Sequence, residues 1–409
     1  MTEVRGGAPS PRFTAYLLSV TLVDLVLIVA LLIALGAGLS RGLLATLGGL
    51  TGLILGGLAA FWAVPAVNDV LPSAQWRGPV SIALAVLLPL LGASIGAGFG
   101  HDLRRGVDRT GLRPLERLLG GAANVIVVAL ALSFVGNAVS ATGTPGVSSA
   151  VSSSAVLRAI DDLTPAAVGR PLAQMRAMVL DDGLPRLNIL MVPREEAVAP
   201  VVDLDNAQLE AAAQSVARIS GIAYACGKSS TGSGFVVAPD RLVTNAHVVA
   251  GVDRPVVELP DRPAREGRVV YFDPVDDLAV VAVEDLGAEP LRISRTLAVG
   301  DRAAVQGYPW GGPFTSRSAG VLSVNTAPVP DVYDEGASPR EVYSIAAEVR
   351  PGNSGGPLLT TDGRVAGVIF ARAEADVEVG FAMTDAELRP VAAQATALDS
   401  PVSSGRCAA

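Results

Sequence analysis

Hydrophobic residues dominate four long stretches in the first 140 residues, at about 14–38, 42–67, 78–99 and 118–140. Asp24 is the only formally charged residue inside them. A helix needs about 20 apolar residues to cross the hydrocarbon core of a bilayer, and each stretch is long enough. The pattern therefore predicts an all-α domain of four transmembrane helices over residues 1–140.

Arginines are distributed unequally between the two sides of this predicted bundle. Six lie in the loops after the first and third stretches, whereas three lie in the N-terminal tail and the loop after the second. Loops that are rich in arginine stay in the cytoplasm. We therefore expect a multi-pass protein of the cell (inner) membrane, in contact with lipid, with both termini and the C-terminal half extracytoplasmic (periplasmic).

The hydrophobic pattern changes after residue 140. Serine, glycine and alanine dominate 140–155, which predicts a flexible linker, with an ordered stalk packed on the next domain as the alternative. Prolines interrupt the helical spacing that follows, so a linker with short helices is expected over 141–216. From 217 to 409, short apolar runs alternate with turn residues. About a dozen such strands indicate antiparallel β-barrels.

Composition and charge sharpen this division. Half of the 409 residues are hydrophobic and 17% are charged, whereas soluble domains average about 25% charged residues. The net charge of −8 lies entirely in residues 220–409. Such an acidic balance excludes a generally basic nucleic-acid-binding protein. Because the chain has only two histidines and no H-E-x-x-H motif, we predict neither a metal site nor a cofactor.

Three short motifs carry the candidate chemistry. They are TNAHVV around His247, DDLAVV around Asp277 and GNSGGPL around Ser354. A serine hydroxyl becomes a useful nucleophile when an imidazole accepts its proton and a carboxylate orients that imidazole. We predict Ser354 as the nucleophile, His247 as the general acid and base, and Asp277 as the orienting carboxylate. Asp273 and Asp276 are alternatives for the last role.

Glycines surround the predicted nucleophile. Without side chains nearby, backbone N–H groups can turn towards a developing oxyanion, and we predict those of Gly352 and Ser354 in this role. The segment also matches the G-x-S-x-G elbow of α/β-hydrolases. That fold places its catalytic histidine after the serine, and no histidine follows Ser354.

The motifs resemble those of trypsin-like serine proteases of the HtrA type, over about residues 217–398. The glycine-rich spans, with Asp24 and the pair Arg41-Gly42, resemble the colicin V production (CvpA) membrane family. The combination is similar to the actinobacterial acid-resistance periplasmic serine proteases. This resemblance implies a chymotrypsin-like double antiparallel β-barrel and peptide cleavage through an acyl-enzyme. It also implies a role in acid or oxidative stress of the envelope, protein substrates such as wall hydrolases, and autocleavage in the linker.

Two further features concern stability and specificity. Cys226 and Cys407 flank the predicted protease domain, and a disulfide in an oxidising compartment would join its ends; two unrelated thiols are the alternative. Glu348 lies six residues before the nucleophile, where a pocket residue would favour a basic substrate side chain, but a surface role is equally open. Gly380, Phe381 and Ala382 are predicted to line the same pocket, on a strand that pairs with an extended peptide.

The sequence thus predicts a multi-domain protein, a membrane-anchored extracytoplasmic serine endopeptidase. The alternative is a membrane channel or sensor in which the protease-like half is only a binding module.

Overall fold

The structure is a computed structural model that describes most of the chain. The described residues are 21–70, 74–107, 112–141, 144, 146–177, 184–187, 198–226, 228–374 and 378–408. They form two compact units. One unit is Asp24–Ser133, and the other contains the described residues of Phe134–Ala409. The beginning of the predicted first span, 14–20, lies outside the described residues.

Long apolar helices form the first unit. They are α1 (Leu22–Arg41), α2 (Leu43–Val70), α3 (Ala74–Val107) and most of α4 (Arg113–Ala141). Within the described part of the chain, three segments are long and apolar enough to cross a membrane: Leu22–Arg41, Leu43–Ala60 and Arg113–Ser140. The predicted stretch 78–99 lies inside α3. The chain therefore has the helices of a membrane protein, and the count of four spans stays a prediction.

Glycines let α2 and α3 pack backbone against backbone. A Cβ atom added to Gly48 or Gly52 would overlap the carbonyl oxygen of Gly96 or Gly92, respectively, and the overlap is mutual. In a bilayer no hydrophobic force drives helices together, so close van der Waals contact between small residues stabilises their association. The glycine richness of these spans is thus explained by helix packing.

Gly52 provides a test of this packing. We expect Gly52→Leu to lower the melting temperature of the full chain in detergent, because overpacking costs about 1–3 kcal/mol. Gly57→Leu is the matched control on the same helix, since no heavy atom lies within 4 Å of its added Cβ. Equal melting temperatures for the two variants would contradict the packing argument.

The second unit begins with short elements and continues with β-strands. The short elements are α5 (Val147–Ser152), α6 (Ala155–Leu163), α7 (Ala166–Ala177), β1 (Arg186–Leu187) and α8 (Ala207–Ala213). The strands up to the first site residues are β2 (Val216–Ala223), β3 (Lys228–Ala238) and β4 (Arg241–Thr244), followed by the one-turn helix α9 (Ala246–Val249). Next come β5 (Val256–Glu258), β6 (Arg265–Glu266), β7 (Arg268–Asp273), β8 (Leu278–Ala282) and β9 (Arg302–Gly307). The last elements are β10 (Thr315–Pro330), β11 (Ala337–Ala346), β12 (Pro357–Thr360), β13 (Val365–Ala373), β14 (Val379–Thr384) and α10 (Asp385–Gln394).

These strands form two seven-stranded sheets. The first has the order β6-β5-β2-β3-β4-β8-β7. The second has the order β1-β13-β12-β9-β10-β11-β14, and β13 also pairs with β14, so six of its strands close into a ring. All pairings are antiparallel except that of β1 with β13. The unit is β-rich, as predicted. It contains two sheets, and the sequence resemblance implies two barrels.

A shared core joins the two sheets. The largest hydrophobic cluster contains Phe235 and Val280 from the first sheet together with Phe370 and Phe381 from the second. Leu388 of α10 belongs to the same cluster. Because both sheets bury side chains in one core, the loops at their junction are held in fixed relative positions.

The described segments of the connector, within 141–216, contact this β-rich body. The flexible linker predicted over 140–155 is wrong for 147–152, which are helical. Two hydrogen bonds explain the order: the Gly146 N–H donates to Glu266 at 2.7 Å, and the Ala264 N–H donates to the Ser153 hydroxyl at 3.0 Å. Tertiary contacts therefore order a segment whose composition alone favours disorder.

Candidate active site

His247 and Asp277 are brought together at the junction of the sheets. His247 lies on α9 immediately after β4, and Asp277 immediately precedes β8. The His247 Nδ1 lies 2.8 Å and 3.0 Å from the two carboxylate oxygens of Asp277, and the His247 backbone N–H donates to one of them at 2.9 Å. Both side chains are less than 10% exposed. With Nδ1–H donating to the carboxylate, a neutral imidazole has Nε2 free to accept a proton.

The backbone around Asp277 is arranged to present its carboxylate. Asp277 has a φ of 52°, a left-handed conformation that aspartate tolerates better than most residues. The Asn245 side-chain amide donates to the Asp277 carbonyl at 2.9 Å and does not cap α9. Asn245, two residues before His247, thus fixes the backbone of Asp277 beside the histidine.

The alternative carboxylates have other partners. Asp273 accepts hydrogen bonds from the N–H groups of Val275 and Asp276 and from the Tyr271 hydroxyl. Burial, followed by the neighbouring Asp273 charge, raises the pKa of Asp276. Among the described carboxylates, Asp277 is the one whose oxygens lie within hydrogen-bond distance of the His247 ring.

The serine loop, residues 350–356, lies against the strands that carry the histidine. The Ser354 carbonyl accepts a hydrogen bond from the Ser233 N–H at 2.7 Å. A Cβ atom added to Gly232 would lie 2.6 Å from Val248 and 3.1 Å from the Ser354 carbonyl. The His247 Nε2 is buried and has no hydrogen-bond partner among the described residues. Ser354 therefore lies next to the segment that carries His247, and the His247 Nε2 is left without a hydrogen bond to any described residue.

Hydrogen bonds determine the direction of the peptide groups in this loop. The Trp310 N–H donates to the Pro351 carbonyl at 2.6 Å, and the Ser233 hydroxyl donates to the Gly352 carbonyl at 2.7 Å. The N–H groups of Asn353, Gly355 and Gly356 donate within the chain. By contrast, those of Gly352 and Ser354 have no acceptor among the described residues. These two are the donors predicted for an oxyanion.

Gly352 requires the absence of a side chain for two reasons. Its φ is +89°, a conformation that glycine adopts without steric cost. In addition, an added Cβ would overlap the Tyr308 carbonyl oxygen and lie 2.9 Å from the Trp310 and Gly311 nitrogens. The segment Tyr308–Gly311 is thus the support on which the Pro351–Gly352 peptide rests.

A buried ion pair that the sequence analysis missed contacts the segment Tyr308–Gly311. Arg218 on β2 contacts Glu258 on β5 with two guanidinium nitrogens, at 2.7 Å and 3.1 Å. It also donates to the Gly311 carbonyl at 2.7 Å. Burial disfavours the charged guanidinium, but Glu258 more than offsets this effect, so the pKa of Arg218 is raised above its ordinary value. The two residues are 40 positions apart, and no local motif in the sequence links them.

The same guanidinium group reaches the connector. Its Nη1 donates to the Asn137 side-chain carbonyl at 3.4 Å, and the Asn137 amide donates to Asp161 of α6 at 3.0 Å and 3.3 Å. A chain of polar contacts therefore runs from α6 through Arg218 to the Gly311 carbonyl.

The predicted pocket residues lie shortly before the serine loop in the chain and on β14. The Glu348 carboxylate is paired with Arg350 and, at 2.5 Å, with Arg317, so its charge is already balanced. A Cβ atom on Gly380 would overlap the buried Val349 side chain. Gly380, Phe381 and Ala382 are all buried on β14.

β14 does not have the free edge that pairing with a peptide requires. β14 is hydrogen-bonded along both edges, to β11 and to β13, so its backbone has no free edge for a peptide. β13 passes the serine loop instead: the Gly355 N–H donates to the Ile369 carbonyl, and the Ile369 N–H donates to the Gly356 carbonyl. The prediction for β14 is wrong because the sheet closes into a ring on both of its edges. The hydrophobic pattern of a strand shows which residues are buried, but not which strands pair with its edges.

Cys226 and Cys407 form a disulfide, with Cα atoms 6.6 Å apart. This separation is within the range that disulfides span. The bond joins the turn before β3 to the C-terminal segment, which lies near α9 because the Gly251 N–H donates to the Ser404 carbonyl at 3.1 Å. The predicted bridge is thus present.

Comparison with known proteins agrees with both halves of the chain. Residues 232–368 match the family described as "Trypsin-like peptidase domain", and residues 23–165 match the family described as "Colicin V production protein". The second match extends into the connector, beyond the predicted end of the membrane domain at 140.

Relatives cover the chain to different extents. The serine protease Rv3671c of Mycobacterium tuberculosis is 31% identical over 392 residues, which span 94% of this chain and 98% of that protein. A probable periplasmic serine endoprotease, DegP-like, of Hahella chejuensis is 38% identical over 160 residues, 38% of this chain and 33% of that protein. The crystal structure of the active form of the Rv3671c protease is 36% identical and covers 54% of this chain and all of that one, with a TM-score of 0.49.

Together these observations define a serine protease with a trypsin-like peptidase domain and a CvpA-like membrane domain. Within that class, the chain belongs to the family of the Mycobacterium tuberculosis serine protease Rv3671c.

Replacing Arg218 tests the buried ion pair. We expect Arg218→Met to destabilise the protease by about 3–5 kcal/mol, because Glu258 is left buried without its counter-charge. The measurement is the thermal unfolding of the full chain in detergent. Arg254→Met is the matched control, since Arg254 forms an exposed pair with Glu266, and such pairs contribute about 0–1 kcal/mol. Similar losses in both variants would refute the special role of Arg218.

Proposed function

We propose that the chain is a membrane-anchored extracytoplasmic serine endopeptidase that cleaves peptide bonds through an acyl-enzyme. The observation that carries this proposal is the contact of the His247 Nδ1 with both carboxylate oxygens of Asp277, beside the loop that contains Ser354. In this mechanism the His247 Nε2 accepts the proton of the Ser354 hydroxyl as its oxygen attacks the peptide carbonyl. The protonated imidazole then donates that proton to the leaving amine.

The developing oxyanion is assigned to the N–H groups of Gly352 and Ser354. The Trp310–Pro351 hydrogen bond supports this assignment, because a planar trans peptide directs its N–H opposite to its carbonyl. With the Pro351 carbonyl held by Trp310, the Gly352 N–H has one direction in which to donate. Donors that are preorganised in this way require no rearrangement during the reaction.

The substrate side chain before the scissile bond is assigned to an apolar pocket. Val349, Gly380 and Ala382 are buried and apolar, whereas Phe381 lies in the core shared by the two sheets. The paired Glu348 contributes no unbalanced negative charge. We therefore propose peptides with an aliphatic residue at this position. A basic residue would need a free carboxylate.

The cellular role we propose is resistance of the envelope to acid or oxidative stress. It rests on the family resemblance and on the arginine distribution, which favours an extracytoplasmic protease domain. Cell-envelope proteins such as wall hydrolases, and the chain's own connector, are the proposed substrates.

The central experiment uses triad variants of the full chain in detergent. We expect Ser354→Ala to abolish both peptide hydrolysis and labelling by a fluorophosphonate, and Asp277→Asn to lower kcat by about 10⁴ because the imidazole tautomer is wrong. Asp276→Asn is the matched control. In a strain that lacks the gene, the Ser354→Ala chain should not restore survival at acidic pH.

Retention of hydrolysis in Ser354→Ala would refute the peptidase proposal. A wild-type chain that binds peptides without hydrolysing them, and binds equally well after Ser354→Ala, would favour the binding-module alternative. If survival is restored by the inactive chain, the stress role does not depend on proteolysis.

A separate experiment tests the oxyanion donors. We expect Gly352→Ala to lower kcat by about 10²–10³ while KM changes little, because the donor moves when the Cβ meets the Tyr308 carbonyl. Gly300→Ala is the matched control: Gly300 has a φ of +88° and open space around its added Cβ. Equal kcat losses in the two variants would show that backbone strain alone is responsible.

A further inference from the structure

A segment of the connector covers the open edge of β13. The N–H groups of Arg372 and Glu374 donate to the carbonyls of Pro185 and Leu187, at 3.2 Å and 3.3 Å. The pairing is parallel, with Arg186 opposite Arg372 and Leu187 opposite Ala373. A two-residue strand from the connector is thus the terminal strand of the second sheet.

The covered edge is the one that passes the nucleophile. Ile369 exchanges hydrogen bonds with Gly355 and Gly356, the two residues that directly follow Ser354, and β13 then continues to Arg372. A free strand edge beside a nucleophile recruits an extended peptide through main-chain hydrogen bonds. Because β14 is paired on both edges, β13 is the strand that offers such donors beside the serine loop.

Leu184 adds a side-chain contact to this pairing. It is 9% exposed and belongs to the hydrophobic cluster that contains Val349, Ile369 and Ala382. Since β1 and β13 run parallel, Leu184 lies at the end of the segment that is nearer to Ile369 and the serine loop. Residues 184–187 therefore occupy both the main-chain donors and part of the apolar surface that a peptide substrate would use.

We propose that the connector segment 184–187 is a built-in competitive inhibitor of the protease, with Leu184 as its anchoring side chain. The inference rests on the proposed function and concerns the regulation of the same site. A peptide binds only after the segment leaves β13. The apparent KM is therefore raised by the reciprocal of the fraction of molecules in which the edge is free.

The test compares two leucine variants of the connector in the full chain. Leu184→Asp places a charge in the apolar cluster and releases the segment, so KM for an extended peptide should fall about tenfold at unchanged kcat. Leu163→Asp is the matched control, because Leu163 lies on the connector helix α6 and is 83% exposed. Leu184→Ala serves as a second variant with a smaller change in the same direction if the aspartate variant does not fold.

A second measurement does not depend on catalysis. In the Ser354→Ala background, a fluorescently labelled, leucine-containing hexapeptide should bind about tenfold more tightly to Leu184→Asp than to Leu163→Asp, by fluorescence anisotropy. Hydrogen exchange of the Arg372 and Glu374 amides should also be faster in Leu184→Asp. Equal peptide affinities in the two variants would overturn the proposal, as would faster amide exchange without tighter binding. If the wild-type chain hydrolyses no peptide, the peptidase proposal fails, while the anisotropy result still decides whether the segment competes.

Discussion

The peptide group between Pro351 and Gly352 is the point on which the site depends. Its carbonyl is held by the Trp310 N–H at 2.6 Å, and its planarity then sets the direction of the Gly352 N–H. No side chain fits at Gly352 because the Tyr308 carbonyl occupies the space. The loop conformation thus depends on a neighbouring turn as much as on its own glycines.

That turn is stabilised in its own right by buried charge. Arg218 and Glu258 join β2 to β5, and Arg218 also binds the Gly311 carbonyl. A buried guanidinium group is costly unless each donor has a partner, and here carboxylate, carbonyl and amide oxygens supply the partners. The ion pair therefore links the first sheet to the loop of the second sheet that supports the Pro351–Gly352 peptide group.

The connector is part of the protease body. Its helices accept and donate hydrogen bonds to the first sheet, and its strand β1 extends the second. Asn137 and Asp161 join it to Arg218. Two separate sets of hydrogen bonds thus reach the surroundings of the serine loop. One joins Asp161 and Asn137, near the end of α4, through Arg218 to the Gly311 carbonyl, and the other joins β1 to β13.

The sequence by itself determined where the long apolar helices lie, because continuous hydrophobicity has few structural outcomes. It also determined that the C-terminal half is β-rich, and which histidine and serine carry the candidate chemistry, since only two histidines exist and one lies in a diagnostic motif. It favoured Asp277 but left Asp273 and Asp276 as alternatives; the hydrogen bonds to His247 also favour Asp277. Likewise, only the tertiary structure decided the Arg218–Glu258 pair, the two occupied edges of β14 and the pairing of β1 with β13. The physical reason is that periodicity reports the burial of each residue, whereas strand neighbours and buried charge pairs join positions far apart in the chain.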